Sequence, residues 1–247
     1  MTSILLLGDA HLREVDSELE PFLLFLRQAS SRAGALYLLG DLFDLWVGAE
    51  AFLSESHRRV VEALRLLRAE GMDLVYVEGN RDYRLRGMYG TDPFREVVET
   101  GYNFRFGVRR IHLAHGDLVN REDRPYHLWR RVAKGPWLLG AFNLLPRAGA
   151  RALARRMERG IARTNRKHRI HFPDEQCRSF AEQLQAEGAD TLVLGHFHQE
   201  TRRTYERGGK KIDVFILPSW RDARRYLRIH EDGRAEFEKF EGGGPCG

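Results

Sequence analysis

Apolar residues in this chain gather into short runs, and each run stops at or just before a glycine or histidine that opens a polar cluster. Ile4-Leu5-Leu6-Leu7 ends at Gly8-Asp9, Ala35 to Leu39 at Gly40-Asp41, and Leu74 to Val77 just before Gly79-Asn80. Arg109 to Ala114 ends at His115-Gly116-Asp117, and Thr191 to Leu194 at Gly195-His196. The uninterrupted runs, Ile4 to Leu7, Ala35 to Leu39, Leu74 to Val77 and Thr191 to Leu194, predict strands buried on both faces, and the mixed segment Arg109 to Ala114 reads as a further strand. Between them, Leu19 to Arg32, Ser54 to Glu70 and 174 to 187 carry helical spacing, as at Val60, Val61, Leu64 and Leu67. Strands alternating with helices predict an α/β core. After Gln199 the turn signals Gly208-Gly209 and Asp232-Gly233 separate strand-like runs, which predicts added antiparallel strands.

Residues 118–172 break this alternation with helical segments punctuated by Pro125, Pro136, Pro146 and, just after, Pro173. They predict a helical cap inserted into a core made of residues 1–117 and 173–240, with 241–247 a flexible tail. Trp137 to Leu145 is apolar nearly all round but too short to span a bilayer. Arg147, Arg151, Arg155, Arg159 and Arg163 recur every fourth residue, one basic stripe on a helix whose other face carries Ala150, Ala154, Met157 and Ile161. The insertion holds 14 of the chain's 40 Lys and Arg against Glu122, Asp123 and Glu158, so a chain of net charge +5 is a basic island on an acidic body. Such an island suits anionic lipid, a phosphorylated substrate or nucleic acid. The apolar stretch beside it, with Trp129, favours acyl chains and a membrane surface over nucleic acid. The bland alternative is a solvated arginine face on an ordinary helical hairpin.

With 247 residues, 43% hydrophobic and 30% charged, the composition excludes a disordered chain, a collagen or a coiled-coil rod. Cys177 and Cys246 lie far apart, which excludes a disulfide framework or a thiolate zinc site and points to a reducing cytosol. The start lacks a basic leader and no run approaches ~20 apolar residues, so neither export nor membrane spanning is expected.

The chemistry gathers where the strands stop: Asp9-x-His11, Asp41, Asn80, His115 and His196-x-His198. Ligands bind at the carboxyl ends of strands in open α/β sheets, so these segments are expected to converge. Seven oxygen and nitrogen donors exceed one tetrahedral zinc and fit two ions ~3.5 to 4 Å apart sharing a carboxylate. The donor types suit Mn²⁺, Fe²⁺ or Zn²⁺. Gly40, Gly79 and Gly195, and Gly8 likewise, are expected to turn the backbone sharply so that the next side chain enters the cleft. His57, His112, His127 and His230 read as structural or exposed, and Asp44 as a residue supporting the site. His168 and His171 have metal spacing but no carboxylate partner, and read as cap residues.

These motifs resemble the calcineurin-like metallophosphoesterases, whose pattern is Asp-x-His, Gly-Asp, Gly-Asn-His-Asp, His and Gly-His-x-His, matched here from Asp9 to His198. The resemblance implies a two-sheet α/β sandwich flanked by helices. It implies Asp9, His11, Asp41 and His198 around one ion and Asp41, Asn80, His115 and His196 around the other, with Asp41 bridging. Arg81 stands where most of the family has His. That arginine is characteristic of the branch that hydrolyses the pyrophosphate of UDP-2,3-diacylglucosamine in lipid A biosynthesis, and the branch also carries a helical insertion. Leu39-Gly40-Asp41-Leu42-Phe43, His115-Gly116-Asp117, Asp123, Tyr126, Pro136-Trp137 and Asn165 match it further. Ile161, His168, Phe197 and Leu217-Pro218-Ser219-Trp220 depart from it.

The resemblance implies two divalent ions, most simply Mn²⁺, and attack of a bridging hydroxide on the α-phosphorus to give UMP and 2,3-diacylglucosamine 1-phosphate. Asn80, Arg81 and His115 are the expected catalytic residues, and Asn80, Arg81, Asp123, Tyr126, Asn165, His168 and His196 the expected substrate contacts. The expected location is cytoplasmic, peripheral on the inner face of the inner membrane. Arg81 cannot titrate at working pH and so can only clamp phosphate; its other reading is a surface ion pair with Asp82. No Gly-x-Ser-x-Gly elbow, Cys-His pair or Walker loop offers a rival nucleophile or nucleotide site. The rivals are another phosphodiesterase or nuclease on the same scaffold, and a non-catalytic scaffold.

Overall fold

The computed structural model describes residues 2–135, 149 and 172–242. The arginine stripe, the apolar stretch 137–145, Pro136, Ile161, Asn165, His168 and His171 lie outside the described residues, as does the tail from 243. In chain order the elements begin β1 (Ser3–Leu7), α1 (Leu19–Ala29), β2 (Ala35–Leu38), β3 (Trp46–Val47), α2 (Glu55–Ala69), β4 (Asp73–Val77) and β5 (Asp82–Tyr83). There follow α3 (Arg86–Tyr89), β6 (Glu96–Val98), β7 (Tyr102–Phe106), β8 (Arg109–Ala114), α4 (Arg124–Ala133), α5 (Asp174–Ala186) and β9 (Thr191–Leu194). The chain closes with β10 (Thr201–Arg207), β11 (Lys210–Ile216), α6 (Trp220–Ala223), β12 (Arg225–His230) and β13 (Ala235–Lys239).

Two sheets face each other. One runs β13-β12-β1-β2-β4-β6, the other β10-β11-β9-β8-β7, and β3 pairs with β5 apart from both. The continuous apolar runs follow from burial on both faces of each sheet. In β1, Ile4 and Leu6 point into the layer between the sheets with Val75, Val77, Leu113 and Val193, while Leu5 and Leu7 point outward to α1 and α2. On the far side of the second sheet, Leu192 and Leu194 pack against Cys177, Ala181 and Leu184 of α5. The result is helix, sheet, sheet, helix. The two stretches flanking 136–171 share a sheet, since β8 lies parallel to β9.

One expectation is corrected. The added C-terminal strands are antiparallel at β10/β11, β12/β13 and β12/β1, but β11 pairs parallel to β9, because the β10/β11 hairpin returns its second strand onto the open edge of β9. β7 went unanticipated, although Tyr102, Phe104 and Phe106 alternate with polar residues and all three pack on the inter-sheet core.

Candidate metal centre

Three neighbouring parallel strands of the first sheet, β1, β2 and β4, and two of the second, β8 and β9, all end at one mouth. Each delivers one of the motifs. Asp9, His11, Asp41, Asn80 and His115 are buried, and His196 and His198 are partly covered. His198 Nε2 lies 3.1 Å from Asp9 Oδ1 and 3.2 Å from His11 Nε2. Asn80 Oδ1 lies 3.1 Å from both His115 Nε2 and His196 Nδ1, and His115 Nε2 is 3.7 Å from Asp41 Oδ2. Donor atoms of Asp9, His11 and His198 form one group within 4.8 Å, and those of Asp9, Asp41 and His115 a second. All seven expected residues are therefore brought together.

The backbone there is unusual. Asp9, His11, Asp41, His196 and His198 take φ of 54°, 47°, 52°, 68° and 56°, left-handed values that cost a non-glycine residue on the order of 1–3 kcal/mol each. Crossed hydrogen bonds hold them. Asp9 N donates to Gly40 O, His11 N to Asp41 O, and His196 N to Asp9 Oδ2. Of the four glycines expected to supply the turns, only Gly40 has a positive φ, at 75°. After Gly8 and Gly195 the left-handed turn falls on the ligand residue, Asp9 or His196, and Gly79 and Gly195 serve close approach. A Cβ on Gly79 would collide with Asp41 Oδ1, and one on Gly195 would stand 2.9 Å from Asp9 Oδ2.

Electrostatics suit a cation. Burial lowers His11 far below its usual range and takes His196 down to about 3, leaving both rings neutral. Burial would lower His115 too, but Asp41, Asp9 and Asp117 outweigh it and raise that ring. Burial would raise Asp9, yet His198, His115 and His11 hold it below the ordinary carboxylate range. His115 Nδ1 faces Leu39 O at 2.7 Å, so Nδ1 carries a hydrogen and Nε2 is the nitrogen turned on the cluster. Oxygen and imidazole donors converging without a thiolate fit divalent cations of the Mn²⁺, Fe²⁺ or Zn²⁺ kind.

Arg81 is 4% exposed and pairs with Asp44 Oδ1 at 2.5 Å and Asp41 Oδ2 at 3.4 Å, which rules out a surface bridge to Asp82. Asp82 instead accepts from Gly79 N, Asp41 N and Tyr76 Oη at 2.7, 3.0 and 2.9 Å, tying two of the motif loops together. Asp44 also salt-bridges Arg13 and lies 3.5 Å from His11 Nδ1, the supporting place expected for it. Asp123 caps α4 by accepting from Tyr126 N, and Tyr126 Oη donates to Asp117 at 2.6 Å, so in this structure both serve the helix.

Ser219 and Arg221 were missed. Ser219 Oγ donates to Asp9 O, and Arg221 grips His11 O and Asp16. More than 200 residues separate these partners, and nothing local marks them. Among the other histidines, His57, His112, His127 and His230 bond Leu45 O, Asn103, Asn120 O and Glu236, away from the cluster.

A model of calcineurin-like phosphoesterases matches residues 2–200. A UDP-2,3-diacylglucosamine hydrolase of Neisseria meningitidis serogroup B is 33% identical over 235 residues, 92% of this chain and 94% of that protein. Proteins of the same name from Stenotrophomonas maltophilia and Photorhabdus laumondii are 30% and 27% identical, covering 93% and 91% of this chain and 95% and 94% of their own. No helix among the described residues is long and apolar enough to cross a membrane.

Proposed function

The chain belongs to the calcineurin-like phosphoesterase family, and from that premise we propose that it hydrolyses the pyrophosphate of UDP-2,3-diacylglucosamine to UMP and 2,3-diacylglucosamine 1-phosphate, with Mn²⁺ as its metal. The observation that carries this reading is Arg81, a buried guanidinium paired with Asp41, one of the seven donor residues, and with Asp44 beside them. Divalent cations held by those seven residues would supply activation of water and neutralisation of the phosphoryl oxygens. Asp9, His11, Asp41 and His198 would hold one, and Asp41, Asn80, His115 and His196 the other.

Arg81 draws the phosphate into register and takes up charge developing on it. It carries no transferable proton at working pH, and none is required, because a phosphate leaving group is far less basic than an alkoxide. Water attacks the α-phosphorus, the bond to the bridging oxygen breaks, and the sugar 1-phosphate departs. Asp123, Tyr126, Asn165, His168 and His196 are the proposed head-group contacts. We place the core at residues 1–117 and 173–240 and the cap at 118–172, working at the anionic cytoplasmic face of a membrane. The exposed Leu128, Trp129 and Val132 of α4 support that placement.

Phosphorus-resolved product analysis with the acylated UDP sugar, Mn²⁺ and ¹⁸O-water tests the reaction. The expected result is UMP carrying the label, with activity abolished by chelation and restored by Mn²⁺. Cleavage of single-stranded DNA in place of the UDP sugar would replace this reading with a nuclease. Liposome flotation indifferent to anionic lipid would remove the membrane placement.

A further inference from the structure

Helix α4 is attached to the core the wrong way round for an ordinary amphipathic helix. Its apolar side chains Leu128, Trp129 and Val132 are 64%, 46% and 47% exposed, while Arg130, and Lys134 just past its end, are buried. Lys134 Nζ donates to Glu78 Oε2 at 3.1 Å and to Gly79 O at 2.8 Å, with the two side chains 6% and 0% exposed. Glu78 Oε1 in turn accepts from Leu85 N at 2.7 Å. Four residues earlier, Arg130 donates to Asp117 Oδ2 and to Glu99 O, both at 2.8 Å. The same helical face thus grips two loops, one carrying Asn80 and Arg81 and the other His115.

A buried ion pair is poor glue, because desolvation cancels much of its attraction and apolar residues of the same size would hold as well. What it supplies is direction. Lys134 fixes the carbonyl of the residue preceding Asn80, and Arg130 fixes the carboxylate two residues beyond His115.

We propose that α4 is a latch, in which Lys134 and Arg130 act as positioning residues that set Asn80 and His115 and so make uptake of the second cation depend on how α4 is seated on the core. This rests on the two-cation reading above and deepens it.

The test compares the parent with Lys134→Met and with Glu78→Gln/Lys134→Met, by manganese titration calorimetry, thermal melting and turnover. The double variant leaves no unpaired buried charge, and its Gln oxygen still accepts from Leu85 N, so its melting temperature returns towards the parent's. The latch predicts that it nevertheless binds one ion normally and the other at least tenfold more weakly, the scale of outer-shell effects on metal affinity. The fall in turnover should be relieved by excess Mn²⁺. A double variant that binds both ions at parent affinity would overturn the latch and leave the metal centre standing. A parent that binds fewer than two ions would overturn the metal centre, and the latch with it.

Discussion

Replacing Gly79 by alanine should separate the strain that the site tolerates from the strain that the fold tolerates. The new methyl group would overlap Asp41 Oδ1 and stand 2.9 Å from both Asp41 N and His115 Cε1. The backbone cannot retreat, since Gly79 N is held by Asp82 at 2.7 Å and Gly79 O by Lys134 at 2.8 Å. The Asp41 carboxylate must therefore rotate, giving up the 2.9 Å bond that it accepts from Arg81 N. Overpacking on this scale costs about 1–3 kcal/mol. Total stability is roughly 5–15 kcal/mol, so the variant still folds. A displacement of about 1 Å in a reacting constellation costs on the order of 10²-fold in rate, so turnover should fall by that much or more. Gly107→Ala is the control. It meets the Glu231 backbone at φ 53°, in the β7/β8 turn at the far end of β8 from His115, and should lose stability without losing activity per folded molecule. Both are read by UMP release and thermal unfolding. Gly79→Ala turnover within threefold of the parent would refute the reasoning.

Arg81→Ala should lower turnover by about 10²–10³-fold, as removal of one transition-state donor does, while manganese content stays at the parent level; an unchanged rate counts against the clamp. His57 is held neutral, with Nε2–H donating to Leu45 O and Nδ1 accepting from Ser54, and burial pushes it down to about 4. The unfolded chain takes up this proton near pH 6.5 and the folded chain only near 4. The contribution is therefore full above 6.5 and lost as pH falls through that window, at most about 3 kcal/mol. Urea titrations of His57→Gln should show a flatter dependence between pH 6.5 and 4, and an unaltered slope would exclude His57 as the source. Ser219→Ala removes the 3.0 Å bond to Asp9 O. It should cost about 1–2 kcal/mol, or a few degrees of melting temperature, and a variant melting with the parent would show that bond to be idle.

The sequence by itself determined the central strands β1, β2, β4 and β9, because burial on both faces leaves an unbroken apolar run such as Ile4 to Leu7. It also determined the donor types, because each motif sits within a few residues of a strand end. From those two facts an α/β core, seven candidate donors and the resemblance to the family were legible, and the resemblance in turn implied the two sheets. Tertiary structure alone decided what holds the donors in place. The partners of Asp9 and His11 are Ser219 and Arg221, and the partners of Gly79 and Asp117 are Lys134 and Arg130, pairs whose spacing in sequence follows no period. The left-handed backbone at Asp9, His11, Asp41, His196 and His198 was equally silent, since aspartate and histidine tolerate that conformation without announcing it. A hydrophobic pattern records which side of an element faces the core. A directed bond between distant residues leaves no pattern, because a single donor and a single acceptor suffice to make it.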